Sequence, residues 1–233
     1  MGTVLSICIP TWNRKNEIER ALKMVAKEAA GIEDQIEVCV SNNGSSDGTK
    51  EYLEEAKGKL KFSLKVFHSE KNQGFDKNVL TVLEMGSGDW LWLFGDDDII
   101  NEKKLLIFVK LLKNMEEDVS VVFPNVQWIP PGKSVPNPPV DTAESIKLKD
   151  TSSRSLFFSP QSYITRVVIK RSLFSQLKHW ELEDYTGNVE MHMWIQRYIG
   201  DEVPKIQIEI PGGSNDTGYR APKAHQAFGT AQV

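Results

Sequence analysis

The sequence predicts an α/β fold with a largely parallel sheet, and three observations carry that expectation. Short apolar runs alternate with segments of helical period, the order that builds βαβ units. The run Trp90 to Phe94 is apolar throughout, as suits a parallel strand buried on both faces. The first four such runs each lead into a loop of Pro, Asn, Gly or Asp, the residues that end strands and start turns.

Val4 to Ile9 reads as the first strand, with Pro10 as its expected stop. Ile18, Leu22 and Val25 recur at helical spacing and predict a helix from Arg14 to Ala29. The second strand is Ile36 to Val40. After it, "SNNGSSDGT" offers a turn at Asn43-Gly44 and capping candidates in Ser45, Ser46 and Asp47, ahead of a helix over Thr49 to Lys57. Leu64 to Phe67 makes a third strand. Gly74 precedes a helix with Phe75, Val79 and Leu83 on one face, and Trp90 to Phe94 is the fourth strand. Residues 124 to 160 hold six prolines from Pro124 to Pro139, so "PPGKSVPNPPV" reads as an irregular excursion. Strands resume at Gln161 to Ile164, helices follow at Arg171 to Gln176 and Val189 to Tyr198, and Lys205 to Ile210 closes the regular structure. The glycine-rich, polar stretch from 211 to 233 reads as a flexible tail or lid.

With 233 residues, 40% of them hydrophobic, the chain can bury one substantial core. A net charge of -4 argues against a nucleic-acid partner and against a strong electrostatic hold on anionic lipid. No apolar run approaches the ~18 residues of a membrane span. "MGTVLSICIP" lacks a basic leader, so a cytoplasmic location is expected. Cys8 and Cys39 both fall inside strands and read as reduced, small hydrophobes. No GxGxxG follows any strand, which excludes a dinucleotide-binding oxidoreductase.

The chemistry concentrates in "GDWLWLFGDDDII". Three adjacent carboxylates, Asp96, Asp97 and Asp98, raise one another's pKa unless a cation or hydrogen-bond donors offset them. Mg²⁺ or Mn²⁺ takes one or two carboxylates together with substrate phosphate oxygens, so an acidic turn beside a phosphate-binding crevice is half of such a site. The alternative is that the aspartates cap a helix beginning near Glu102. In open α/β sheets ligands collect at the carboxyl ends of strands. There the fold would gather Pro10 to Arg14, Asn42 to Gly48, Asn72 to Gly74 and Gly95 to Asp98.

"SICIPTWNR", "IEVCVSNNGSSDGT", "KNQGFDKN" and "GDWLWLFGDDDII" together resemble, in order and spacing, the family 2 glycosyltransferases, and "GDDDI" is most similar to members that build bacterial surface polysaccharides and O-antigens. The resemblance implies the GT-A fold and transfer from a nucleoside diphosphate sugar to a saccharide or lipid-linked saccharide. It implies a nucleotide-sugar-binding half over 1–105 and an acceptor-binding half over 106–210. Its acidic motif implies metal ligation by Asp96 and Asp98, with Mn²⁺ or Mg²⁺ as cofactor. Asp96 would also face the nucleoside, with Asp97 between them on the donor. Donor contacts carry over to Pro10, Thr11, Asn13 and Arg14 near the base, to Asn72 and Gly74 beside the diphosphate, and to Lys77 at a phosphate. Trp12 reads as core. Asn42 stands where the family usually has an aspartate against the base. Relatives often continue with helices that contact a membrane, so peripheral contact at its inner face is part of the expectation.

The family inverts the anomeric configuration, which requires a base to deprotonate the acceptor hydroxyl. "EMHMWIQR" keeps the family's spacing from an acid to an arginine, Glu190 to Arg197, with Met191 where an aspartate is usual. Glu190 is the first candidate base, His192 the second and Asp184 the third. Two other readings stand beside this one. A non-catalytic nucleotide-sugar-binding module is motivated by Asn42 and Met191. A sugar-1-phosphate nucleotidyltransferase is opposed by "PTWNRKNE", which has no glycine-rich loop after the first strand.

Overall fold

The structure is a computed structural model that describes residues 2–117, 119–124, 143–148, 164–177 and 206–211. Its strands are β1 (Leu5–Thr11), β2 (Ile36–Asn42), β3 (Ser63–His68), β4 (Trp90–Leu93), β5 (Val121–Phe123), β6 (Ala143–Leu148), β7 (Val168–Lys170) and β8 (Ile206–Pro211). The helices are α1 (Lys15–Glu28), α2 (Thr49–Ala56), α3 (Phe75–Met85), α4 (Lys104–Lys113) and α5 (Arg171–Leu177).

All eight strands among the described residues form one sheet in the order β3-β2-β1-β4-β7-β5-β8-β6. β3, β2, β1 and β4 run parallel, whereas β7 is antiparallel to both β4 and β5. The expected parallel sheet is therefore a mixed one whose amino-terminal half is wholly parallel. The chain winds outward from β1 to β3 and then crosses to β4 on the other side of β1. That reversal opens a crevice beyond the carboxyl ends of β1 and β4.

Strand alternation sorts the core into two layers. Leu5, Ile7 and Ile9 pack with Leu22 and Val25 of α1, Leu53 of α2 and Leu105 and Val109 of α4. Cys8 and Cys39 face the other way, against Val79, Val82 and Leu83 of α3 and Phe174 of α5. Both cysteines are free and buried, and burial pushes the Cys8 thiol well up, so they behave as the small hydrophobes expected. Trp92 stacks edge-on against Phe94 and Phe108, with ring centroids 5.0 and 5.1 Å away.

Several boundaries differ from the sequence expectation. Pro10 does not end β1, which continues through it to Thr11, opposite Asn42 of β2. The reason is directional: the even-numbered residues of β1 hydrogen-bond toward β4, and the last such bond runs from Phe94 N to Cys8 O. Pro10 therefore lacks its N–H on a side where β4 has already turned away. Of the strand expected at Gln161 to Ile164, residues 161–163 lie outside the described residues; Ile164 opens a 3-10 turn to Arg166, and β7 follows it. β5 and β6 are not among the expected strands, and β6 lies between the proline-rich stretch and Gln161, where strands were expected to resume.

At the end of the sheet away from the crevice, Glu37 of β2 is only 2% exposed. Its carboxylate accepts the Ser6 hydroxyl at 2.6 Å and the Ser87 amide at 2.6 Å, and it pairs with Lys65 Nζ at 2.7 Å. Burial pushes this carboxyl up, but Lys65, Ser6 and Ser87 outweigh it and hold it below the ordinary range. Because the folded value lies below the unfolded one, the stabilisation is complete above the ordinary carboxylate range of about 4.3. It is lost as pH falls through the folded value. Glu37→Ala is expected to lower unfolding free energy at pH 7 by about 3 kcal/mol, the low end for a broken buried pair because Lys65 can reach water. Urea titration at pH 7 and below pH 4 tests it; a variant as stable as the parent at pH 7 refutes the network.

Candidate active site

Four loops meet at the crevice, and hydrogen bonds lace them together. Asn13 sits at φ 53°, a left-handed conformation that asparagine tolerates. Its side-chain oxygen accepts the Ser46 amide at 2.8 Å, while its own amide donates to Ser45 Oγ at 2.8 Å. Asp47 accepts from the first amides of two helices, Lys15 N of α1 at 2.9 Å and Thr49 N of α2 at 3.1 Å, which joins the β1 and β2 loops. Gly44, at φ 71°, lies so close to the Lys71 backbone that a Cβ there would stand 2.6 Å from it. Asn43 then binds the third loop, donating to Asn72 Oδ1 and Gly74 O and accepting from Gln73 N.

The acidic turn closes the crevice. Thr11 Oγ1 donates to Asp96 Oδ2 at 2.7 Å, and Arg14 Nη2 donates to Asp97 Oδ2 at 2.6 Å. Arg14 Nε stands 2.8 Å from Asp96 Oδ1, within ion-pair reach but without the alignment of a hydrogen bond. Asp98 accepts the hydroxyl proton of Thr165, whose oxygen also takes the Gly95 amide at 3.0 Å. Burial pushes Asp96 up, opposed by Thr11 and Arg14; burial also pushes Asp98 up, opposed by Thr165. Burial works against the Arg14 charge, but Asp96 and Asp97 outweigh it and hold the guanidinium charged more firmly. The helix-cap alternative fails. α4 begins at Lys104 behind Lys103, with no side-chain cap, and the Lys103 amide donates to Glu28 instead.

Residues 6–172 match the sequence pattern described as Glycosyl transferase family 2. The chain belongs to glycosyl transferase family 2.

Among curated relatives of this family 2 member, abequosyltransferase RfbV of Salmonella typhimurium is 32% identical over 114 residues, covering 49% of this chain and 34% of the relative. The Campylobacter jejuni GalNAc(5)-diNAcBac-PP-undecaprenol beta-1,3-glucosyltransferase is 27% identical over 203 residues, covering 83% of this chain and 59% of the relative. The chain thus spans between about a third and three-fifths of the length of these relatives. In solved structures the same fold occurs in S. aureus TarS residues 1–349 in complex with UDP. There the TM-score is 0.66 and the identity 17%, with 91% of this chain and 61% of that one covered. It recurs in mannosyltransferase PcManGT of Pyrobaculum calidifontis in complex with GDP-Man and Mn²⁺, with a TM-score of 0.54, 17% identity and coverage of 76% and 47%. The fold is GT-A.

Within this family 2 domain the expected residues are distributed unevenly. Thr11, Arg14, Asp96 and Asp97 come together, while Pro10 belongs to β1 and Asn13 holds the neighbouring loop. Asn72 and Gly74 share the Asn43 knot, and Lys77 is exposed in the first turn of α3. Asn42 turns inward: it is 1% exposed, its Oδ1 accepts Ser45 N and its Nδ2 meets His68 Nδ1. Trp12, read as core, is instead 49% exposed between Thr11 and Asn13. Sequence reading missed Asn43, whose signal was its place beside Asn42 in a strand-end loop, and Thr165, which carried no local signal. Glu190, His192 and Asp184 lie outside the described residues. Among the described residues no three His, Cys, Asp or Glu side chains form a set that could hold a metal, and no helix is long and apolar enough to cross a membrane.

Proposed function

We propose that the chain carries the donor-binding domain of an inverting glycosyltransferase. It would move a sugar from a nucleoside diphosphate sugar to a hydroxyl of a saccharide or lipid-linked saccharide, in bacterial surface-polysaccharide or glycan synthesis. The observation that carries this reading is the joining of Thr11, which ends β1, and Arg14, which follows it, to Asp96 and Asp97 after β4 at the switch point of the sheet. The named activities of the abequosyl- and glucosyltransferase relatives support the same direction.

On this reading the donor lies across the carboxyl ends of β1 and β4. The exposed indole of Trp12 offers a face on which a base can stack. Asn72, Gly74 and Lys77 stand on the side of the diphosphate. Thr11 and Arg14 fix Asp96 and Asp97 in place before the donor arrives, so those carboxylates need no reordering when it binds. Of the two aspartates expected at a cation, Asp96 has both oxygens engaged by Thr11 and Arg14. Mn²⁺ or Mg²⁺ would therefore fall chiefly to Asp98, a hard oxygen donor that suits either ion, and would offset charge on the departing diphosphate. The acceptor half, from about residue 106, would supply the base, for which Glu190 comes first and His192 and Asp184 follow. Cytoplasmic placement against the inner face of a membrane belongs to the same proposal.

Thermal shift with nucleoside diphosphates in Mn²⁺ or EDTA tests donor and metal together. A nucleotide at about 100 times its Kd adds about 2.7 kcal/mol. For a chain of this size that is a rise of roughly 5 to 10 °C, expected in Mn²⁺ and much reduced in EDTA. Equal shifts would remove the metal from the proposal, and no shift with any nucleotide would remove the donor. Donor hydrolysis or transfer separates the enzyme from a binding module.

A further inference from the structure

The described part of the carboxyl-terminal half sends one side chain into the acidic turn. Thr165 is buried, and the geometry around it leaves no freedom in how its hydroxyl is used. The Gly95 amide can only donate, and at 3.0 Å it occupies an acceptor position on Thr165 Oγ1. The single hydroxyl proton then goes to the other neighbour, Asp98 Oδ2. The chain Gly95 N–H to Thr165 O–H to Asp98 therefore has one polarity, and it ends on a carboxylate. The backbone of Thr165 is fixed as well, because its carbonyl accepts the Trp92 indole N–H at 2.8 Å.

The sheet explains how a residue so distant arrives there. β4 and β7 pair antiparallel with Trp92 opposite Val168. Leu93 N continues the ladder by donating to Val167 O. Just before β7 the chain makes the 3-10 turn Ile164–Arg166, and from this turn Thr165 Oγ1 meets the Gly95 amide. Gly95 in turn leaves room for the carboxylate, since a Cβ there would lie 2.5 Å from Asp98 Oδ2. The Asp98 amide closes the turn on Gly95 O at 3.3 Å.

From this we infer that Thr165 is a positioning residue for Asp98: its hydroxyl selects one orientation of the carboxylate and takes up Oδ2, so that a divalent cation is offered Oδ1. The inference rests on the proposed role of Asp98 at the metal. Thr165→Val keeps the shape and removes the hydroxyl; Thr165→Ser keeps the hydroxyl and removes the methyl group. Affinity for Mn²⁺ at saturating UDP, followed by electron paramagnetic resonance of the free ion, is expected to fall about tenfold or more in Thr165→Val, the scale of a lost hydrogen bond to a charged group. Thr165→Ser should return to within about threefold of the parent, since its hydroxyl can make the same bond. UDP binding in EDTA should be unchanged in both. Parent-like Mn²⁺ affinity in Thr165→Val overturns the inference alone. So does a serine variant as weak as the valine one, or an equal loss of UDP affinity in EDTA, because either would make the role one of packing. If the parent itself binds no Mn²⁺ with UDP, the metal reading falls and this inference falls with it.

Discussion

Asp98→Asn is expected to lower the rate of sugar transfer by about 10²- to 10³-fold, the scale of losing one group that stabilises a developing negative charge, because on the proposed reading Asp98 would hold the cation that does so. It should leave the melting temperature unchanged or slightly raised. The two expectations have one cause. Burial pushes the Asp98 carboxyl up, so the ionised form is held in the fold at a cost that Thr165 offsets only in part. Replacing it with the neutral amide removes that cost and keeps an oxygen for the Thr165 proton. Asp96→Asn should behave differently, because Asp96 is already paired with Arg14 and Thr11. There the loss of the carboxylate leaves Arg14 held by Asp97 alone, loosens the β1 loop and weakens donor binding itself. Kinetics with calorimetric melting distinguish the cases, and full activity in Asp98→Asn would put the metal, if any, on other residues.

The parts of the fold legible in the sequence are those where local pattern and burial agree. β1, β2 and β4 are buried along their whole length, so largely apolar runs announced them, broken only by Ser6 and Glu37 in the first five residues of β1 and β2. Their following loops were legible for a related reason: once a parallel sheet is assigned, every strand end of one kind falls on one edge. What failed was whatever depended on a neighbour. Pro10 could extend β1 only because β4 stops short beside it. Trp12 is apolar by composition yet sits in a loop whose geometry belongs to Asn13, Ser45 and Ser46. Asn42 stands where a base contact was expected, but its amide is claimed by Ser45 and by His68, itself held by Glu54. Thr165 was the hardest to foresee, because it reaches Gly95 and Asp98 from the 3-10 turn ahead of β7, and nothing within its own segment marks it.

Glu190→Gln is the remaining large effect expected, a fall in kcat of roughly 10²- to 10⁴-fold with donor affinity nearly unchanged. If transfer inverts the anomeric carbon, as proposed, the acceptor hydroxyl must approach from the face opposite the departing diphosphate. The proton acceptor must therefore stand across the crevice from the β1 and β4 loops, which are made entirely by the first 98 residues. The nucleotide side leaves little choice within itself: Asp96 and Asp97 are bound to Arg14, and Asp98 to Thr165. A carboxylate from the later chain suits the task, because it can take the proton and also stabilise positive charge on the sugar ring. Glutamine preserves size and hydrogen bonding while removing basicity, so a change confined to KM would assign Glu190 to acceptor binding. If Glu190→Gln is silent, His192→Ala and Asp184→Asn become the deciding variants. Loss of transfer with intact donor binding in either one would locate the base there and make Met191, which replaces the family's usual aspartate, the sign that this chain has moved it.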